Sequence, residues 1–172
     1  MNLHDSAVQL GGLRAIELAS FERLGARAVR DGDDAEARWC ASASLAHAWR
    51  AGLLEDLLPV SAGLPSADDL TVLPAGPLAE ALDRALPAVP PGADDTADRV
   101  LQAGGSQPDG GCALVADLVE GLYPALSAVY EHRIATAGAA ADGPLVRTLT
   151  RVSSDLREVT ARGAMLVEAW RG

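Results

Sequence analysis

Apolar residues recur every three or four positions along four long segments of the chain, which is the period of an α-helix with one buried face. The four segments cover residues 6–30, 34–58, 112–137 and 144–170. Helix breakers lie at the ends of these segments, at Pro59, Gly138 and Pro144, and Asp33 with Glu36 forms a capping arrangement before the second. No segment sustains the alternation that is typical of a half-buried strand. The sequence therefore predicts an all-α protein.

The connections between the predicted helices indicate how the helices are arranged. Short turns join the first helix to the second and the third to the fourth, so each pair is expected to pack antiparallel. Between 59 and 111, Pro and Gly recur and only short helical pieces fit, such as 78–86 and 96–103. We therefore expect one domain, residues 1–172, that forms a four-helix bundle with a long crossover between helices 2 and 3 carrying short extra helices.

Each predicted helix contains a polar side chain that is able to bind a metal ion. Glu17 lies within the apolar stripe of the first helix and His47 within that of the second. His132 lies within the stripe of the third helix, and Asp155 lies at the margin of the fourth. Burying a carboxylate or an imidazole without a partner is costly, so these side chains are expected to contact one another or a metal. Two histidines and two carboxylates are enough ligands for one iron or manganese ion.

Two of these residues belong to pairs that are separated by three positions, which places both members of a pair on one helix face. Ser44 precedes His47 in the second helix, and Asp155 precedes Glu158 in the fourth. In the third helix Glu131 is available as a further carboxylate, but its helical phase turns it away from the apolar row.

With these residues the chain resembles the ferritin-like superfamily, and more narrowly the uncharacterised actinobacterial ferritin-like proteins, with a more distant similarity to di-iron enzymes of the tRNA-hydroxylase type. The segments that carry the resemblance are 17–25, 47–51 leading to 58–59, and 141–164. Metal-binding members of the superfamily take a Glu from each of two helices and a Glu-x-x-His pair from each of the other two. The resemblance therefore implies a ferritin-like bundle with a degenerate metal site, because Ser44 replaces a carboxylate and Glu158 replaces a histidine.

Each candidate ligand also has a simpler interpretation. Glu17 and His47 are able to pair as a buried hydrogen-bonded couple, and His132 to be a hydrogen-bonded core or groove histidine. Asp155 has Arg151 nearby as a partner. A closed polar network needs no ion, so the sequence leaves metal binding and hydrogen bonding open as alternatives.

Charge and cysteine content exclude several classes of function. The chain has 24 Asp and Glu residues against 14 Lys and Arg, a net charge of −10, so we expect no nucleic-acid partner. No stretch matches the length of a transmembrane helix, and the first residues lack the pattern of a signal peptide. Cys40 and Cys112 are too few for a disulfide framework or a zinc box. We therefore expect a cytoplasmic protein without a membrane partner.

These observations support three hypotheses. The first is a ferritin-like helical bundle with a degenerate metal site and no cofactor, acting as a binding or scaffolding module and forming a homodimer. The second is an iron- or manganese-dependent oxidoreductase or hydroxylase in which Glu17, His47, His132 and Asp155 are the ligands. The third is a small-molecule binder that uses a pocket of the bundle without a metal.

Overall fold

The computed structural model describes residues 3–29, 33–88, 110–138 and 142–172, and within these ranges the chain is helical and contains no strand. The helices are α1 Leu3–Ala28, α2 Asp34–Glu55, α3 Ala67–Leu70, α4 Pro77–Ala85, α5 Gly110–Asp117, a π-helical turn Leu118–Leu122, α6 Tyr123–Thr136 and α7 Gly143–Arg171. The π turn joins α5 to α6, and together we call these the third long helix. The prediction of an all-α protein is confirmed, and the short helix predicted at 96–103 lies outside the described residues.

The start of α2 is fixed as the sequence predicts. Asp33 accepts hydrogen bonds at 2.7 and 3.0 Å from the backbone N–H groups of Ala35 and Glu36. The carboxylate of Glu36 binds Arg27 Nε of α1 at 2.7 Å. The helix ends at Glu55 and not at 58, because Pro59 has no N–H to donate to the Glu55 carbonyl and its ring would clash with that carbonyl in a continued helix.

The two N-terminal helices pack antiparallel along their length. Arg27 near the end of α1 contacts Glu36 at the start of α2, and Arg14 of α1 contacts Glu55 at the end of α2, at 2.9 Å. Helix α7 packs against the third long helix and against α2. Helix α3 lies directly on α1 at Gly11, where a Cβ would stand 2.1 Å from the Leu70 carbonyl oxygen, so only glycine permits this approach.

The π turn changes which residues of the third long helix face the core. Without the π turn, an unbroken α-helix would continue the apolar row from Leu122 through Val129 to His132. The π turn adds one residue to its turn and rotates all that follow, so Leu126 and Tyr130 are buried and His132 is exposed. The prediction that the His132 side chain points into the core is therefore wrong.

The segment Ala113–Thr136 is apolar enough to cross a membrane by length and composition alone, with a mean hydropathy of 1.3 over its best window. This differs from the expectation that no stretch would reach that length. Core helices of soluble proteins also meet the criterion, and this segment places Tyr123, Leu126 and Tyr130 in the buried core.

Candidate functional site: a buried polar network

Six polar side chains from all four long helices meet in the interior of the described structure. We call this set the central network, and its members are Glu17 of α1, His47 and Arg50 of α2, Tyr123 and Tyr130 of the third long helix, and Asp155 of α7. The first five are fully buried, while the side chain of Asp155 is 28% exposed. A polar cluster of this size is stable only if its members satisfy one another.

Glu17 is the acceptor at the centre of the network. His47 Nδ1 donates to Glu17 Oε2 at 2.5 Å, and Tyr130 OH donates to Oε1 at 2.5 Å. Arg50 Nε lies 3.1 Å from Oε1 and 3.0 Å from Oε2. The prediction that Glu17 and His47 lie close together in the core is confirmed.

Arg50 links the two carboxylates of the network. Its Nε binds Glu17, and its Nη1 donates to Asp155 Oδ2 of the opposite helix. The remaining nitrogen, Nη2, is buried and has no hydrogen-bond partner among the described residues. Asp155 therefore pairs with Arg50 and not with Arg151, whose guanidinium carbon lies 4.8 Å from the centre of the Trp49 ring.

The charges of the network follow from burial and from these contacts. Burial by itself raises the pKa of Glu17, but Arg50, His47 and the hydrogen bond from Tyr130 together hold it below its ordinary value. Burial lowers the pKa of His47, and Glu17 only partly opposes this, so the imidazole is neutral at neutral pH. Glu17 is thus an anion that a single buried cation, Arg50, neutralises.

The two tyrosines act as hydrogen-bond donors. Burial and the nearby Glu17 carboxylate raise the pKa of Tyr130, and burial raises that of Tyr123, so both hydroxyls keep their protons. Since His47 uses Nδ1–H for Glu17, its Nε2 is the acceptor for Tyr123 OH at 3.2 Å. Both nitrogens of the ring therefore have partners.

The structure joins three of the four predicted site residues and separates the fourth. Glu17, His47 and Asp155 belong to the central network, with Arg50 between the carboxylates. His132 lies instead on the rim of an open cleft between α1 and α6.

Three further polar residues, Ser44, Glu131 and Glu158, also have hydrogen-bond or ion-pair partners. Ser44 Oγ donates to the Phe21 carbonyl at 2.8 Å and so ties α2 to α1. Glu131 is exposed, as predicted, and its carboxylate lies 3.2 Å from Arg157 of α7. Glu158 pairs with Arg162 within α7.

Arg50, Tyr123 and Tyr130 are the members that sequence reasoning missed. Arg50 follows His47 by three residues and therefore lies on the same face of α2, which is a signal that was available. The tyrosines gave no comparable signal, because their inward position depends on the π turn.

The central network contains one histidine and two carboxylates, and Arg50 lies between the carboxylates. Within the described ranges no group of three or more His, Cys, Asp or Glu side chains is arranged to hold an ion. The position between the two carboxylates is filled by the Arg50 guanidinium.

Comparison of the chain with family models, with curated proteins and with solved structures gives no match.

Proposed function

We propose that the chain is a ferritin-like four-helix bundle with a long crossover, in which Arg50 stands where a metal ion would offset the carboxylates. On this proposal the central network is a structural element and the protein is a binding or scaffolding module. The single observation that supports it most is the Arg50 guanidinium in contact with both Glu17 and Asp155.

The argument rests on charge. A carboxylate-bound metal is stable because its positive charge offsets the ligands, and a guanidinium at the same point does so permanently, since arginine is not deprotonated in proteins. A metal could bind Glu17 and Asp155 only after Arg50 had left them. Breaking a buried ion pair costs about 3–5 kcal/mol, so the free energy of metal binding would first have to exceed this cost.

The state of His47 supports the same proposal. A histidine binds a metal through an unprotonated ring nitrogen, and Nδ1 carries the proton that it donates to Glu17. The other nitrogen, Nε2, accepts from Tyr123. An incoming ion would therefore have to displace a tyrosine as well as an arginine.

Solvent access points in the same direction. Four clefts on the described part of the chain are lined by other residues and include no member of the central network. None of these clefts therefore gives a substrate access to Glu17 or His47. Catalysis at the network would require such access.

Metal analysis tests the proposal directly. Cells are supplied with iron, manganese or zinc in turn, the protein is purified without a chelating tag, and metal per chain is measured. We expect far less than one ion per chain. Two tightly bound irons per chain would refute the degenerate-site proposal and make the iron-dependent oxidoreductase the leading function.

A variant sharpens this experiment. Replacing Arg50 with Met removes the internal cation and leaves Glu17, His47 and Asp155 facing the same space, so metal content should rise above that of the parent. The matched control is Arg162→Met, which removes an exposed arginine of α7 from an ion pair with Glu158. Equal metal content in all three proteins would show that Arg50 does not exclude the ion.

We also propose a cytoplasmic homodimer that associates through the outer face of α2. Leu45 and Trp49 are 69% and 38% exposed on this face, the exposed α2 positions Ala41, Ser42 and Gly52 beside them carry no charge, and the guanidinium of Arg151 lies 4.8 Å from the Trp49 ring. In a chain of net charge −10, two copies repel each other least where the surface carries no carboxylate, as at these positions.

Sedimentation velocity tests the dimer. Leu45→Arg should yield monomers, whereas Met165→Arg, at a 71% exposed methionine of α7, should leave the dimer intact. A parent protein that is monomeric at all concentrations, or a dimer that persists in Leu45→Arg, would contradict this interface.

A further inference from the structure

Tyr123 contacts both a buried base and a tryptophan. Its hydroxyl donates to His47 Nε2 at 3.2 Å, and the two ring centres are 5.6 Å apart. The ring centre of Trp39 lies 6.3 Å from that of Tyr123. Tyr123 and His47 are fully buried, whereas Trp39 is 9% exposed. A chain with only three tryptophans, two tyrosines and one phenylalanine thus places a tryptophan with an exposed edge beside a tyrosine of the central network.

The buried phenol of Tyr123 is able to lose an electron only together with its proton. Loss of the electron alone would leave a positive charge on a fully buried ring, which is costly. A base that already accepts a hydrogen bond from the phenol takes the proton without any rearrangement. His47 Nε2 is such a base, because the imidazole is neutral and carries its proton on Nδ1. The geometry therefore provides separate acceptors for the proton and for the electron.

The charges around His47 favour this proton transfer. In the resting network the carboxylates of Glu17 and Asp155 contact one cation, Arg50. A proton on His47 adds a second positive charge at 2.5 Å from Glu17, so that two cations then offset two anions. Arg50 opposes the new charge, but Glu17 is in direct contact with the imidazole and has the larger effect. The network thus gains charge balance when His47 accepts a proton.

Tyr130 lacks both of these features, although it belongs to the same network. Its hydroxyl donates to Glu17 Oε1 at 2.5 Å. The pKa of Glu17 lies below its ordinary value, so its carboxylate is a weaker base than an imidazole. Within the described part of the chain, the aromatic pairs involve Tyr123 and not Tyr130. The two tyrosines therefore serve as internal controls for each other.

We propose that Tyr123 is a redox-active tyrosine, which gives one electron through Trp39 to a one-electron oxidant at the protein surface while its phenol proton moves to His47 Nε2. The products are a neutral tyrosyl radical, an imidazolium paired with Glu17, and the oxidant reduced by one electron. A one-electron reductant reverses the step, and the proton returns to the phenol oxygen. An electron crosses packed protein, so this activity does not need the open cleft that a substrate requires. The inference goes beyond the proposed function, since it gives the central network an activity besides its structural role.

The experiment is flash photolysis of the full chain with ruthenium tris(bipyridine) and an electron-accepting quencher, which together generate a one-electron oxidant. The ruthenium complex is a cation and associates readily with a chain of net charge −10. Transient absorption and electron paramagnetic resonance of freeze-trapped samples identify the radical. We expect a neutral tyrosyl radical that forms more slowly in D2O, because a proton moves with the electron. No tyrosyl radical, or equal rates in H2O and D2O, would overturn the proposal.

Three variants assign the radical and its proton acceptor. Tyr123→Phe should remove most of the tyrosyl signal, whereas Tyr130→Phe should still give one. His47→Gln keeps a hydrogen-bond acceptor beside Tyr123 but not a base, so radical formation should slow by about a hundredfold or more. A signal that is lost only in Tyr130→Phe, or an unchanged rate in His47→Gln, would refute the assignment.

A matched pair of tryptophan variants tests the path of the electron. Trp39→Phe should slow formation of the tyrosyl radical severalfold, because a phenyl ring is much harder to oxidise than an indole. Trp170→Phe, at a half-buried tryptophan near the end of α7, is the control and should leave the rate unchanged. Equal rates in these two variants would overturn the role of Trp39. Circular dichroism confirms that each variant is folded, and the isotope effect on the parent protein decides the coupling of proton and electron even if His47→Gln does not fold.

Discussion

Removing the Glu17 carboxylate should destabilise the protein more than removing any exposed carboxylate. In Glu17→Ala, Arg50 loses one of its two anionic partners, and the donors of His47 and Tyr130 lose their acceptor. Breaking a buried ion pair costs about 3–5 kcal/mol, and each buried donor left unsatisfied costs about 1–3 kcal/mol, although water that enters the vacated space offsets part of the second term. We expect a loss of about 3–5 kcal/mol in the free energy of unfolding.

Urea and thermal denaturation followed by circular dichroism measure this loss. In a chain of this length, about 3–5 kcal/mol corresponds to a fall in Tm of roughly 6–20 °C. Glu17→Gln keeps the shape and one acceptor oxygen, so it should cost less, about 1–3 kcal/mol. The control is Glu131→Ala, which removes an exposed carboxylate paired with Arg157 and should cost about 0–1 kcal/mol.

A double variant examines the cause of the loss. If an unpaired Arg50 is responsible, Glu17→Leu combined with Arg50→Met should be more stable than the sum of the two single changes, because apolar groups of similar size often replace a buried ion pair without loss. Strict additivity would refute the ion-pair explanation. A Glu17→Ala variant no less stable than Glu131→Ala would refute the whole reasoning.

Three further predictions concern acid stability, helix packing and thiol reactivity. The pKa of His47 is lower in the folded protein than its ordinary 6.5. Below pH 6.5 the unfolded chain therefore binds more protons than the folded one, and the free energy of unfolding should decrease as the pH falls. His47→Gln should flatten the stability–pH profile below pH 6.5. Gly11→Ala should lower Tm because its Cβ would meet the Leu70 carbonyl, whereas Gly52→Ala, with open space around it, should raise stability by about 0.5–1 kcal/mol in urea denaturation. Burial raises the pKa of Cys40 to about 12, so with the other cysteine replaced by serine the native protein should resist alkylation by iodoacetamide, and rapid labelling at neutral pH would contradict its burial.

Part of the candidate site follows from the sequence. Glu17 and His47 each occupy the centre of an apolar stripe on helices joined by a short turn, and antiparallel packing brings them together as expected. The three-residue spacing from His47 places Arg50 on the same face of α2, but a long arginine is usually assigned to the surface, so the spacing alone does not predict its burial. In the structure its charge is offset by Glu17 of α1 and by Asp155 of α7.

The sequence by itself determined which segments are helical and which class of fold results. Periodicity and breakers are properties of neighbouring residues, so the long helices are found within a few positions of the predicted ends. The tertiary structure decided which further side chains meet Glu17 and His47. A single π turn at Leu118–Leu122 rotates α6 so that Tyr130 enters the core and His132 leaves it. The physical reason is that one added residue hardly alters a periodic pattern but turns every later side chain to a new face, and only the packing of the other helices selects that face.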